Sequence, residues 1–184
     1  MLQLERRLTL GNVQPLVVQY TKSIENIGVT INGMKGLSLI QALKREKARF
    51  GPYPDVTIFE AANRIMTDLV ILHGVKWLLE NKVFPFHVYA VEFGNEDKND
   101  FDLQASGNGK SLVGEAFNVA PSFYQSKKLP MLKKLRKEKA DYRVIMVNHD
   151  AVADGYSPLL EDGVYYVFVN VVAGTAEVVP RAGL

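Results

Sequence analysis

Acidic side chains crowd into one stretch of the chain, GNEDKNDFDLQASGNGKSLVGEAFNV, which carries Glu96, Asp97, Asp100, Asp102 and Glu115. Asp102 and Glu115 fall inside runs that read as β-strands, where acids are least expected. Side chains alternate faces along a strand, so Asp102 shares a face with Gln104, and Glu115 shares one with Val113 and Phe117. Brought to one end of a sheet, the two carboxylates would hold a hard divalent ion such as Mg²⁺ or Mn²⁺, which prefers oxygen ligands and keeps several waters. Such an ion polarises a phosphate and lowers the pKa of an attacking water, the chemistry that phosphodiester hydrolysis needs. The competing reading is that both are solvent-face acids of ordinary amphipathic strands.

Other side chains carry weaker signals. Thr57 with Glu60 three residues later has the form of a capping box, and Glu60, Arg64 and Asp68 follow at four-residue steps, as an ion-pair stripe would. Lys127, Lys128, Lys133, Lys134, Arg136, Lys137 and Lys139 form the strongest basic run, able to hold a phosphate backbone without reading sequence. Phe123 and Tyr124 precede it, as core residues or as stacking surfaces for bases. A second run, Lys44, Arg45, Lys47 and Arg49, reads first as a solvated helix face. Gly109-Lys110-Ser111 ends like a phosphate-binding loop, but Gln104 stands where the first glycine belongs and a strand follows. Asn95, Asp97 and Asn99 start like a calcium loop whose later glycine and glutamate are missing. His73, His87 and His149 are too scattered to form a metal cluster, although Asn148-His149-Asp150 closes a strand at a place suited to the rim of a site.

The elements that position these residues can be read from the spacing of apolar side chains. Ser38 is expected to cap a helix over LIQALKREKARFG that ends near Gly51. TIFEAANRIMTDLVILHGVKWLLENK is the clearest helix, with Phe59, Ala62, Met66, Leu69, Val70, His73 and Trp77 at helical spacing. Then FHVYAVEF, FDLQA and SLVGEAFNV read as three strands of an antiparallel meander. SFYQSKKLPMLKKLRKEKA reads as helix, with Ser122 as a cap and Pro130 as a kink or the start of a second helix. RVIMVNH follows as a strand, and GVYYVFVNVV and AEVVP add one or two more. The order predicts an α+β protein, a mixed central β-sheet flanked by helices, as one domain over residues 1–184.

At 184 residues, 47% of them hydrophobic, the chain can bury a substantial core. A net charge of +2 excludes a global basic field, so any nucleic-acid surface must be local. Absence of cysteine excludes disulfides, thiolate metal sites and a cysteine nucleophile. With no signal-peptide core and no apolar run of membrane-spanning length, the expectation is a soluble, cytoplasmic protein.

The order helix, three strands, helix, strand, with one acid on the middle strand and another inside the next, resembles the PD-(D/E)XK (restriction-endonuclease-like) nuclease superfamily over about residues 57–149. The resemblance implies an αβββαβ core with an extra N-terminal helix and C-terminal strands. It implies that Asp102 and Glu115 are the metal ligands, that Glu60 is an assisting acid, and that the cofactor is Mg²⁺ or Mn²⁺. FD stands in place of PD, and Phe117 occupies the position of the motif lysine. That lysine would stabilise charge developing on the phosphate, which phenylalanine cannot do. Lys127 or Lys128, early in the following helix, would be the recruited replacement, with Gln104 and Asn118 as neutral candidates. The function implied is Mg²⁺-dependent endonuclease cleavage of DNA, restriction-type, by a homodimer able to cut both strands. The alternative is a catalytically inactive relative that binds nucleic acid or another protein.

Overall fold

Apolar residues at positions 13, 16, 17 and 20 repeat with the period of a helix, and the chain forms one there, α1 (Val13–Ile24), burying all four. The structure is a computed structural model, described over residues 4–94 and 99–181. A short strand β1 (Arg7–Thr9) precedes α1, and α2 (Gly36–Arg45) follows it.

Ser38 does not cap α2. Lys35 is the N-cap residue, and the Ser38 hydroxyl donates to the Lys35 carbonyl at 2.7 Å from within the first turn. The helix also stops at Arg45 rather than near Gly51, because Lys47–Phe50 turns into a strand, β2, that pairs antiparallel with β3 (Tyr53–Thr57). Burying Phe50 and Tyr53 outweighs the helical preference of the lysine-rich run.

Thr57 caps α3 (Ile58–Glu80) as expected, its hydroxyl accepting the Glu60 N–H at 3.2 Å. The buried stripe of this 23-residue helix is not the expected one. Ile58, Ala61, Ile65, Asp68, Leu72, Val75 and Leu79 are buried, whereas Phe59 is 52% exposed. Apolar residues surround the helix because the sheet packs on one side and α1 and α2 on the other, so hydrophobic period alone leaves the phase open.

The expected strands form as β4 (Val88–Val91), β5 (Leu103–Gly107), β6 (Lys110–Phe117), β7 (Tyr142–Asn148), β8 (Val164–Asn170) and β9 (Thr175–Val179). They join β1 in a seven-stranded mixed sheet of order β1-β4-β5-β6-β7-β8-β9. The β4-β5-β6 meander is antiparallel, β6, β7 and β8 run parallel, and β9 returns antiparallel. The fold is therefore α+β, with helices on both faces of a mixed sheet. On one face Leu103, Leu112, Ala116, Val144 and Met146 pack toward α3. Gly74 permits that approach, since a Cβ there would lie 2.3 Å from Met146 Sδ.

The opposite face carries a smaller core of Phe117, Ile145, Val147, Tyr166 and Phe168 under α4 (Tyr124–Leu135). Ser122 lies in a 3-10 turn, Pro121–Phe123, and does not cap α4. Pro130 sits on the exposed side inside the helix without ending it. Phe123 is 63% exposed while Tyr124 is buried, so the aromatic pair splits between solvent and core. Among the described residues no helix is long and apolar enough to cross a membrane.

Candidate active site at the ends of the central strands

The register of the meander decides where the acids stand. Val91 pairs with Leu103, and Leu103 pairs with Gly114. Continuing that register one step places Glu92, just past β4, and Asp102, just before β5, in line with Glu115 of β6, and the Glu92 N–H donates to the Asp102 carbonyl at 3.0 Å. Directly opposed residues of antiparallel strands project to the same face. The row lies on the face opposite Leu103, toward α4.

Asp102 and Glu115 thus share a sheet end and line the same cavity, of about 350 Å³. Asp102 Oδ2 accepts the Ala116 N–H at 2.8 Å, which ties the carboxylate to the neighbouring strand. Burial pushes the Asp102 carboxyl up to about 6; the Ala116 N–H pulls it down, the negative charges of Glu115 and Glu92 push it up and Lys134 opposes them. Burial also raises Glu115, against the opposing pull of Lys134 and Lys127. Glu92 is 6% exposed, and its Oε2 accepts the Asn99 N–H at 2.7 Å, closing the base of the β4–β5 connection. Glu96 and Asp97 lie outside the described residues.

The lysines separate by helix geometry. Lys127 is exposed and lines the cavity beside Glu115. Lys128, about 100° further round the helix, is 9% exposed and points elsewhere. Its Nζ donates to the Tyr156 hydroxyl at 3.1 Å, with the rings of Tyr124 and Tyr156 at 5.3 and 5.7 Å. The ammonium that meets the carboxylates is Lys134, whose Nζ is 2.6 Å from Glu115 Oε1. It also donates to the Asp100 carbonyl and lies 4.7 Å from the centre of the Phe101 ring. Lys127, Met131 and Lys134 follow at steps of four and three, the spacing of one helix face, and that signal was available in the sequence.

Glu60 does not line the cavity. It is held by Arg64, whose Nη2 donates to Glu60 Oε1 at 2.6 Å, while Asn63 and Thr67 are the α3 residues in the cavity wall. Phe117 is 3% exposed and packs with its centroid 6.1 Å from that of Tyr124, so its side chain serves the core. Gln104 shares the face of Asp102 and lies further along β5, away from the strand end.

A second buried acid lies on the other side of the sheet. Asp68 is fully buried, and its Oδ2 accepts from the hydroxyls of Tyr20, at 2.6 Å, and Tyr53. Its Oδ1 accepts the Gly94 N–H at 3.0 Å. Burial raises the Asp68 carboxyl to about 6, opposed by these three donors and by the nearby charge of Arg64, and burial raises both phenols. One carboxylate thereby joins α1, β3, α3 and the end of β4. Gly94 suits this point, since its φ is +70° and a Cβ would stand 2.5 Å from the Tyr53 ring.

The open site therefore combines one carboxylate inside β6 with another on the residue just before β5, where Asp102 was expected inside the strand, together with two lysines on one helix face and neutral polar groups from α3. Comparison of the chain with models of protein families and with curated proteins finds no match.

Proposed function

We propose that this chain is a divalent-metal-dependent nuclease with a restriction-endonuclease-like core, cleaving phosphodiester bonds in DNA. The observation that carries the reading is the convergence of Asp102, Glu115 and Lys127 on one cavity at the ends of neighbouring strands. The order α3, β4, β5, β6, α4, β7, with an antiparallel meander followed by a parallel crossover, supports the same reading.

The donor set suits a Mg²⁺ or Mn²⁺ ion, because such ions take one or two carboxylates and keep several waters. Asp102 and Glu115 are the residues that would hold it; the ion would polarise the phosphate and activate water. The protein's own part is to supply cations around the reacting group. Lys134, 2.6 Å from Glu115 Oε1, opposes the burial that raises the Glu115 carboxyl. Lys127 stands free in the wall, where it neutralises charge on the phosphate. These two replace the cation that Phe117 does not provide.

A second reading, binding without cleavage, is favoured by the Lys134 ammonium already resting on Glu115. Nicking of supercoiled plasmid in Mg²⁺ or Mn²⁺ separates the two. The catalytic reading expects wild type to cleave and both Asp102→Ala and Glu115→Ala to lose cleavage with the fold intact by circular dichroism. Wild-type protein that leaves DNA and RNA whole yet shifts a labelled duplex in a gel supports the binding reading instead. Direct appearance of linear product, ahead of nicked circles, would mark a dimer acting on both strands.

A further inference from the structure

One residue of the cavity wall has its orientation set from outside the cavity. Asn118 follows β6, and because Phe117 pairs in parallel with Val147, Asn118 lies beside Asn148 at the end of β7. Asn148 is 3% exposed and forms no part of the wall. Its Nδ2 donates to Asn118 Oδ1 at 3.2 Å. A primary amide has an acceptor end and a donor end. Asn118 itself borders the cavity, and with its oxygen engaged by Asn148 the end of its amide left for a ligand is the NH₂ donor.

The cavity then has walls of opposite character. Asp102 and Glu115 bring carboxylates from the ends of the meander, whereas Asn118 and Lys127, lining residues of the β6–α4 side, carry an amide and an ammonium able to donate. A ligand matching both walls carries anionic oxygens for the donors and a cation for the carboxylates, as a phosphodiester with a divalent ion does. The volume, about 350 Å³, is within the range of small-ligand pockets.

We propose that Asn118 and Lys127 form a subsite for the non-bridging oxygens of a phosphate group, and that Asn148 is the positioning residue that fixes the Asn118 amide. This rests on the nuclease reading above and adds to it the residues that bind the anion. The pre-set amide donates without reorganising when the ligand arrives. Asn118→Asp tests it most directly, since it replaces the donor by a negative oxygen of the same size.

Binding of a fluorescein-labelled oligonucleotide is measured by anisotropy in Mg²⁺-free buffer, and its cleavage is followed in Mg²⁺. Asn118→Asp is expected to weaken binding by about tenfold or more and Asn118→Ala by about threefold, as expected for losing one hydrogen bond to a charged group. Asn148→Asp is expected to raise KM by about as much as Asn118→Ala with kcat within about twofold, and the double variant Asn118→Ala/Asn148→Asp to lose no more than Asn118→Ala alone. Asn118→Asp binding within twofold of wild type, or losses from Asn118→Ala and Asn148→Asp that add, overturns the subsite while leaving the nuclease reading in place. Wild-type protein that neither binds nor cleaves the oligonucleotide overturns the nuclease reading itself.

Discussion

Two groups of acids flank the same sheet, and what surrounds each separates an enclosed carboxylate from a pair that borders a cavity. Asp68 is closed off by Tyr20, Tyr53 and the Gly94 N–H, donors from separate elements that engage both of its oxygens. Asp102 and Glu115 face a cavity, next to each other, with Lys127 and Lys134 nearby and room for a ligand. Burial raises Asp68 and Asp102 alike to about 6, so raised acidity constants do not distinguish the two places. Access and the arrangement of opposite charge do.

The largest expected effect tests the open site: Asp102→Ala or Glu115→Ala should slow plasmid cleavage by about 10²-fold or more, the scale of losing a group that stabilises transition-state charge. Asp68→Ala should give the opposite pattern. It leaves buried hydroxyls and an N–H without an acceptor, so unfolding stability should fall by about 3 kcal/mol, read by urea denaturation. Activity per folded molecule should change little. Comparable activity loss per folded molecule in both variants would erase the contrast.

pH separates stability from activity at Asp102. A carboxyl with its folded pKa near 6 takes up protons more readily folded than unfolded. Its stabilising contribution is therefore complete below the ordinary value of 3.8 and is lost as pH rises through about 6. Asp102→Asn, which cannot ionise, should gain stability relative to wild type between those values and hold that gain above them. Cleavage needs the ionised carboxylate and should fall as pH drops below about 6.

Lys134→Met tests a smaller effect. Without the ammonium, Glu115 becomes harder to ionise, so the acidic limb of the pH–rate profile should move to higher pH. Smallest is Glu60→Gln, which removes a half-buried pair with Arg64 and should cost about 0.3–0.5 kcal/mol by thermal melting, with cleavage unchanged. Loss of cleavage in this variant would return Glu60 to the site.

Most strands of the fold were legible because β-branched and aromatic runs alternate between turn residues, and the Thr57 cap was legible because its chemistry is local. The misreadings fall where local preference met tertiary packing. Lys47–Phe50 became a strand because Phe50 and Tyr53 had a core to enter. The buried stripe of α3 was missed because elements pack on both of its sides, and because Asp68, which looked like part of an ion-pair stripe, is a core acceptor. Lys128 looked equivalent to Lys127 in sequence, yet one residue of helix turns it into an aromatic cage.

By itself the sequence determined that Glu115 lies inside a strand of an α+β chain, that Asp102 lies at the start of the strand before it, and that a basic helix follows them. Strand alternation and helix period are properties of local covalent geometry, so they survive without knowledge of the rest. Only the tertiary structure decided that the β5–β6 register brings Asp102 toward Glu115, that Lys134 rather than Lys128 reaches Glu115, and that the Asn148 amide donates to Asn118. Those outcomes depend on register and on which helix face meets the sheet, and long-range packing sets both.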